Sequence, residues 1–296
     1  MTIYCMFKQL VKVSFIVFIS SEASAQYSQS AVRAGSESIN SNVRTDTSQV
    51  ELGEATVVAK AYPQKELVGE YKQPAWTLVR KFPSTRVYLM TPPGTMMYEK
   101  WVDIRVPKKG SSQVRFRDEF AFGLGKRLEL DLYLHTVLEG KQGEHTFGWR
   151  GFSWEVRYAL ADWGKIWGNP TLYFEQKILN GFMGIEPKLL LGDQIGKRGI
   201  WGLNLIYEAN LAKERINQER EWASTASYGY MLNDDFTFGV SSMYRYNDID
   251  YSDELYLGPL LQYRFSGKAY ISIESLLGST EDSKQSRNTV IFGWRF

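Results

Sequence analysis

The residues with chemistry in their types and spacing are two histidines, a group of loop aspartates and seven charges set in steps of two. His135 and His145, the latter beside Glu144, are the candidates for proton transfer near neutral pH. Neither belongs to a serine motif, and general-base catalysis needs a geometry that no local pattern supplies here. The ordinary alternatives are a hydrogen-bonded interior histidine and a solvated loop histidine. Asp248, Asp250 and Asp253 offer oxygen donors of the kind calcium takes, but without the glycine and terminal glutamate of an EF-hand loop. No catalytic residue, metal ligand or cofactor site is therefore expected. The remaining charges are Asp131, Glu155, Arg157, Glu175, Lys177, Glu186 and Lys188. Within each of the pairs 155/157, 175/177 and 186/188 the two side chains share one face of an extended chain. Lining a narrow wet path, they would select among small hydrophilic solutes; packed in a filled interior, they would brace the wall.

The elements that must hold these charges are strands. In residues 127–138, Leu128, Leu130, Leu132 and Leu134 fall on the face opposite Glu129, Asp131, Tyr133 and His135. Comparable alternation predicts strands over 96–106, 113–124, 127–138, 150–161, 170–179 and 183–193. It continues over 199–211, 221–232, 235–247, 254–265, 268–278 and 288–296. Most approach the ~9–11 residues with which a tilted strand crosses a bilayer. A soluble barrel with a greasy interior has the same period with the faces exchanged, so alternation alone leaves inside and outside open.

Two terminal stretches bear on that choice. Lys8 and Lys12, the apolar run 13–19 and the small residues Ala23 and Ala25 predict a secretory signal over residues 1–25. At the other end Val290, Phe292, Trp294 and Phe296 form an aromatic face opposite Thr289, Ile291, Gly293 and Arg295. This ending resembles the closing strand of Gram-negative outer-membrane β-barrels, in which a terminal aromatic such as Phe296 is part of the signal read by the insertion machinery. The resemblance covers about residues 96–296. It implies an all-β, antiparallel up-and-down transmembrane barrel of about 12 strands, within a range of 10 to 14, lying in outer-membrane lipid. Even strand number then places both ends of the wall on the periplasmic side. Tryptophans prefer the bilayer interface, so Trp163, Trp167, Trp201 and Trp294 are expected in an inner girdle, and Trp149, Trp154 and Trp222 in an outer one.

With leucines outward, the seven charges point into the lumen. Pairing opposite signs across neighbouring strands sets Asp131 against Arg157, Arg157 against Glu175, Glu155 against Lys177, Glu175 against Lys188 and Lys177 against Glu186. A tight turn at Asn180-Gly181, a favoured hairpin pair, would instead oppose Glu175 and Glu186. The looser turn is preferred here because it avoids that like-charge contact.

The expected divisions are the signal, a flexible periplasmic segment over residues 26–82, and the barrel over 83–296. Residues 26–49 are rich in Ser, Asn, Gln and Thr, too polar to offset the entropy of ordering. Residues 50–59 resemble the energy-coupling box of TonB-dependent transporters, but the chain has no room for their plug domain and long barrel. Arg80 to Leu89 reads as a strand or inner-rim segment, interrupted by Pro83. A net charge of +2 gives no reason to expect a nucleic-acid partner. The function expected is a narrow channel for small hydrophilic solutes. The alternatives are a non-conducting structural or adhesive barrel and an outer-membrane hydrolase.

Overall fold

The computed structural model describes residues 67–141, 144–210 and 220–296. The described chain opens with a two-stranded ribbon, β1 (Leu67–Val68) and β2 (Gln73–Pro74), followed by a single 3-10 turn, Ala75–Leu78. The wall comes next: β3 (Met96–Val106), β4 (Gln113–Gly125), β5 (Leu128–Lys141), β6 (Glu144–Ala159), β7 (Thr171–Leu179) and β8 (Phe182–Ile195). It is completed by β9 (Gly199–Asn210), β10 (Arg220–Met231), β11 (Phe236–Asn247), β12 (Asp253–Arg264), β13 (Ala269–Gly278) and β14 (Ser286–Arg295).

Strands β3 to β14 make one closed antiparallel barrel, each paired with its sequence neighbours and β14 closing on β3. Closure leaves no strand edge with unpaired backbone groups, which a sheet in hydrocarbon cannot afford. Twelve strands return the chain to the rim where it began, and Phe296 N–H donates to Met96 O at 3.0 Å across the seam. Met96 and Phe296 mark what we call the near rim; the connections after β3 and β13 lie at the far rim. Strands β5 and β6 run on past residues 138 and 150, their expected ends, leaving residues 142–143 between them.

The two faces follow the period-two pattern. Leu132, Leu134, Phe152, Phe174, Phe238, Leu257 and Phe292 are exposed on the outer wall, whereas Glu129, Asp131, Glu155 and Arg157 are buried inside. Among the described residues an ion pair interrupts the apolar exterior. Lys100 Nζ meets Asp118 at 2.8 Å, and Tyr98 Oη also donates to Asp118, between Phe116 and Phe120 along β4. A lone basic residue facing lipid costs about 2–4 kcal/mol at the midplane, and the carboxylate partner offsets part of that.

The tryptophans split. Trp222 and Trp294 are exposed near the ends of β10 and β14, Trp149 is exposed further along β6, and Trp167, exposed in the connection after β6, packs on Trp201 at 5.7 Å. Trp154 lies in the body of β6, its indole N–H satisfied by Gln176 Oε1 at 2.9 Å rather than at a rim. Trp163 is a correction, since it is buried and packs edge-on against Trp76 and Tyr88 at 5.6 and 5.2 Å. The cause is the chain before the barrel: Trp163 N–H donates to Tyr71 O, which turns the loop inward.

The wall begins at Met96, not at residue 83, and residues 67–82 pack against it rather than standing free. Residues 26–66 lie outside the described residues, as does the expected signal over 1–25.

Candidate functional site

Between the 3-10 turn and β3, residues 79–95 have no regular structure. Pro83, Pro92 and Pro93 lack the N–H that a wall strand requires. This segment enters the lumen from the near rim, reaches mid-depth around Ser84 to Arg86, and returns. Irregular backbone is tolerated at membrane depth only where protein satisfies its polar groups. Inward side chains do so here. Asn204 Oδ1 accepts from Arg86 N–H at 2.8 Å while its Nδ2 donates to Arg86 O at 2.6 Å, as a neighbouring strand would. Ser272 Oγ donates to Arg80 O, and Glu129 Oε2 accepts from the N–H groups of Met90 and Thr91 at 2.7 and 3.0 Å. Space is made by two inward glycines opposite each other on β8 and β9. A Cβ on Gly192 would lie 2.4 Å from Val87 Cγ1, and one on Gly202 would lie 2.8 Å from Thr85 Cγ2.

Side chains of the segment complete the electrostatics of the wall. Glu99 and Glu119 face each other directly across β3 and β4, a like-charge contact that needs a cation from elsewhere. Arg80 supplies it, donating to Glu99 and reaching Glu119 at 3.2 Å. Arg86 adds Glu119 at 3.0 Å, Tyr133 Oη at 2.6 Å and Glu155 at 3.8 Å. Trp101 caps the group, its ring under the guanidiniums of Arg80 and Arg86 and its N–H on Glu119 at 2.8 Å. Arg157 of the wall binds Glu129 at 2.9 Å, Asp131 and Glu155. Two of the three arginines balancing Glu99, Glu119, Glu129, Asp131 and Glu155 thus come from the inserted segment.

Lys81 is also buried but has no carboxylate partner among the described residues. Its Nζ donates to Thr237 Oγ1 at 3.1 Å and to Gln262 Oε1 at 2.5 Å. Burial, reinforced by Arg264 and opposed by Asp235 and Asp234, pushes its amine from 10.5 down to about 7. A withdrawn Lys81 would stay protonated up to its ordinary value while the seated one loses its proton near 7. Raising the pH through that window therefore strengthens seating, and below about 7 the penalty is constant and at its largest. Barrel stability measured from pH 7 to 10 should rise more steeply in the native chain than in Lys81→Met. Equal slopes would contradict this assignment.

Wall and insert together amount to a closed ring with ionised groups sealed inside and leucines and aromatics outside, an arrangement workable only with hydrocarbon around it. The fold is a closed twelve-stranded β-barrel with an apolar exterior. Among solved structures it is similar to the KdgM porin, with TM-score 0.48 and 13% identity over 68% of this chain and 99% of that one. It is also similar to the NanC porin, with TM-score 0.47 and 15% identity over 68% and 98%. A third likeness is the translocator domain of the autotransporter NalP from Neisseria meningitidis, with TM-score 0.42 and 11% identity over 68% and 88%. At these scores and identities the likenesses bear on neither solute nor mechanism. No protein-family model matches the sequence, and no curated protein matches it.

Above the insert the barrel holds a cavity of about 850 Å³, floored by Pro83, Ser84 and Arg86 and lined up to the far-rim residues Asn180, Asp250 and Lys284. It divides the seven expected lumen charges into two groups. Glu175, Lys177, Glu186 and Lys188 line it; Asp131, Glu155 and Arg157 lie beneath, within the ionic cluster. All seven are on the inner face, but the expected pairing is corrected. Arg157 stands opposite Glu129 and Tyr173, Glu155 opposite Asp131 and Glu175, and Glu175 opposite Glu186. The tight turn at Asn180-Gly181 forms, with Gly181 at φ 91° and Asn180 Nδ2 anchored on Trp149 O. Like charges are tolerated across strands because cations reach them diagonally: Lys177 and Lys188 both bind Glu186, while Arg157 and Arg86 serve the other rows.

The remaining candidates have structural partners. His135 Nε2 lies 2.8 Å from Ser153 Oγ, which donates its proton to Glu175 Oε1 at 2.7 Å. That leaves the imidazole N–H as donor to the serine, the reverse of nucleophile activation. Asp248 pairs with Arg220, and Asp250 accepts from Ser252. The side chain of His145 lies outside the described residues. Sequence reasoning missed Arg80, Arg86, Glu99 and Glu119. The available signal was the opposed Glu99 and Glu119 in the first hairpin, which have no cation directly opposite on either flanking strand.

Proposed function

We propose that this barrel is a gated conduit for small hydrophilic solutes, with its near rim and both ends of the wall in the periplasm and its far rim outside. The observation that carries the reading is the insert itself. Residues 79–95 cross the lumen without regular structure, held by side chains rather than by strand pairing, while above them a charged vestibule opens at the far rim. Contacts of this kind can be undone one by one, whereas a wall strand cannot leave. Near-rim turns such as the one between β4 and β5 are mostly short, and far-rim connections such as Ser279 to Gln285 are mostly longer, as in barrels with that orientation. On this reading the outer wall meets outer-membrane lipid, the aromatic face ending in Phe296 engages the insertion machinery, and no catalysis is assigned.

A second reading is a permanently sealed structural barrel, favoured by the density of ion pairs between insert and wall. Planar-bilayer recording separates the two. The native chain should be silent or pass brief, rare currents. A variant lacking residues 67–90, checked for heat-modifiable mobility as evidence of a folded barrel, should show long stepwise openings. Silence from that folded variant would favour the sealed barrel.

A further inference from the structure

We propose that the vestibule carries a binding site for a small multivalent carboxylate anion on the wall formed by β14, β3, β4 and β6. The inference rests on the reading of this cavity as a solute-facing vestibule. Arg287, Arg105, Arg115, Arg117 and Arg150 line that wall, and among the described residues Asp103 is the carboxylate on it that lines the cavity. Asp103 is already occupied, accepting from Thr289 Oγ1 at 2.9 Å and facing Arg105 at 3.4 Å. Arg287 stands directly opposite Arg105 across the β14–β3 pair, a like-charge contact.

The other guanidiniums have no carboxylate within ion-pair distance among the described residues. Arg115 Nε donates to the amide oxygen of Gln113 at 2.5 Å, and Arg287 donates to the weak acceptor Met243 Sδ at 3.2 Å and lies over the Tyr256 ring at 5.6 Å. Arg117 stacks over Trp101 at 4.0 Å, which fixes the plane of its fork without using the N–H groups at its edge. Arg105 Nε is buried with no acceptor. A buried donor without a partner is costly, and a carboxylate fits an arginine fork with two parallel bonds.

The other lining acids described stand outside ion-pair distance of these four arginines and have partners of their own: Glu274 accepts from Ser84 at 3.0 Å, Glu175 accepts from Ser153 at 2.7 Å, and Glu254 faces Lys284 at 3.7 Å. Lys177 holds Glu186 and reaches Glu208 at 2.7 Å, Lys188 also holds Glu186, and Arg245 binds Glu221 at 2.7 Å. The cavity therefore keeps its surplus positive charge on one side. About 850 Å³ is within the range of small-molecule sites, and the insert closes the floor so that an anion entering from the far rim would stop there.

The test uses the refolded full chain in detergent, titrated calorimetrically with citrate while sodium chloride holds the ionic strength constant. Saturable binding near one citrate per chain is expected, with acetate at least about tenfold weaker. Arg115→Gln combined with Arg287→Gln should weaken citrate about tenfold or more, while Lys188→Gln on the facing wall should change it less than twofold. If the double variant does not fold, Arg150→Gln alone should still weaken binding. No saturable citrate binding by the native chain, or equal losses on the two walls, would overturn the site. Binding is measured with the insert in place and needs no conduction. Currents from the unplugged barrel without citrate binding would sink the anion site alone, and binding without such currents would sink the conduit reading alone.

Discussion

Arg157→Ala is expected to destabilise the barrel by about 3–5 kcal/mol, the loss typical of removing one partner from a buried charge cluster. Arg157 is 0% exposed and touches Glu129 at 2.9 Å, Asp131 and Glu155, with Glu119 at 3.8 Å. Alanine would leave these acids buried together with only Arg80 and Arg86 nearby, both carried by a segment that is not part of the wall. Urea unfolding of the barrel in lipid vesicles, followed by tryptophan fluorescence, measures the effect. A companion variant separates ion pairing from packing: Arg157→Met with Glu129→Gln, Asp131→Asn and Glu155→Gln should recover most of the loss, because uncharged groups need no counter-ion. A loss below about 1 kcal/mol for Arg157→Ala would show that the cluster is not the brace described here. Since Arg157 does not line the vestibule, the substitution should leave citrate binding unchanged.

The wall was legible in the sequence because alternation is a local property. Leu128 to Leu134 against Glu129 to His135 fixes two faces, and a strand reaching from one interface to the other limits its length. Ends were less so, as the far-rim extensions of β5 and β6 show, since polar residues such as Glu139 and Lys141 pair beyond the membrane as readily as they loop. Register failed for a more instructive reason. Opposing unlike charges is sound between two strands considered alone, but Glu155 between Asp131 and Glu175 is compensated from a third direction, by Arg157 two residues along the same strand and by Arg86 from within the lumen. Pairwise rules cannot see a cation that arrives across the barrel.

The insert was illegible for the same reason. Arg80 to Leu89 looks irregular because of its proline and polar because of its charges, which locally describes a solvated segment as well as a sealed-in one. Its partners, Glu99, Glu119, Asn204, Thr237, Gln262 and Ser272, are scattered over six strands. Only closure of the barrel gathers them. Trp163 went astray with it, since Trp76 and Tyr88, which pack against it, belong to the chain before the wall.

The occupied lumen is tested most directly by a covalent lock. Thr85 Oγ1 and Ser227 Oγ lie 2.8 Å apart, one on the insert and one on β10, so cysteines at these positions would bring two sulfurs within bonding reach. The sequence has a single cysteine, Cys5, which is replaced by serine in the same background. Thr85→Cys with Ser227→Cys, extracted from membranes under non-reducing conditions and digested, should yield the peptide joined between 85 and 227 in nearly every molecule. In bilayers that protein should lose the brief, rare currents of the native chain, and a thiol reductant should restore them. Recovery of both thiols free and open to maleimide in the folded, membrane-inserted barrel would contradict an insert seated in the lumen.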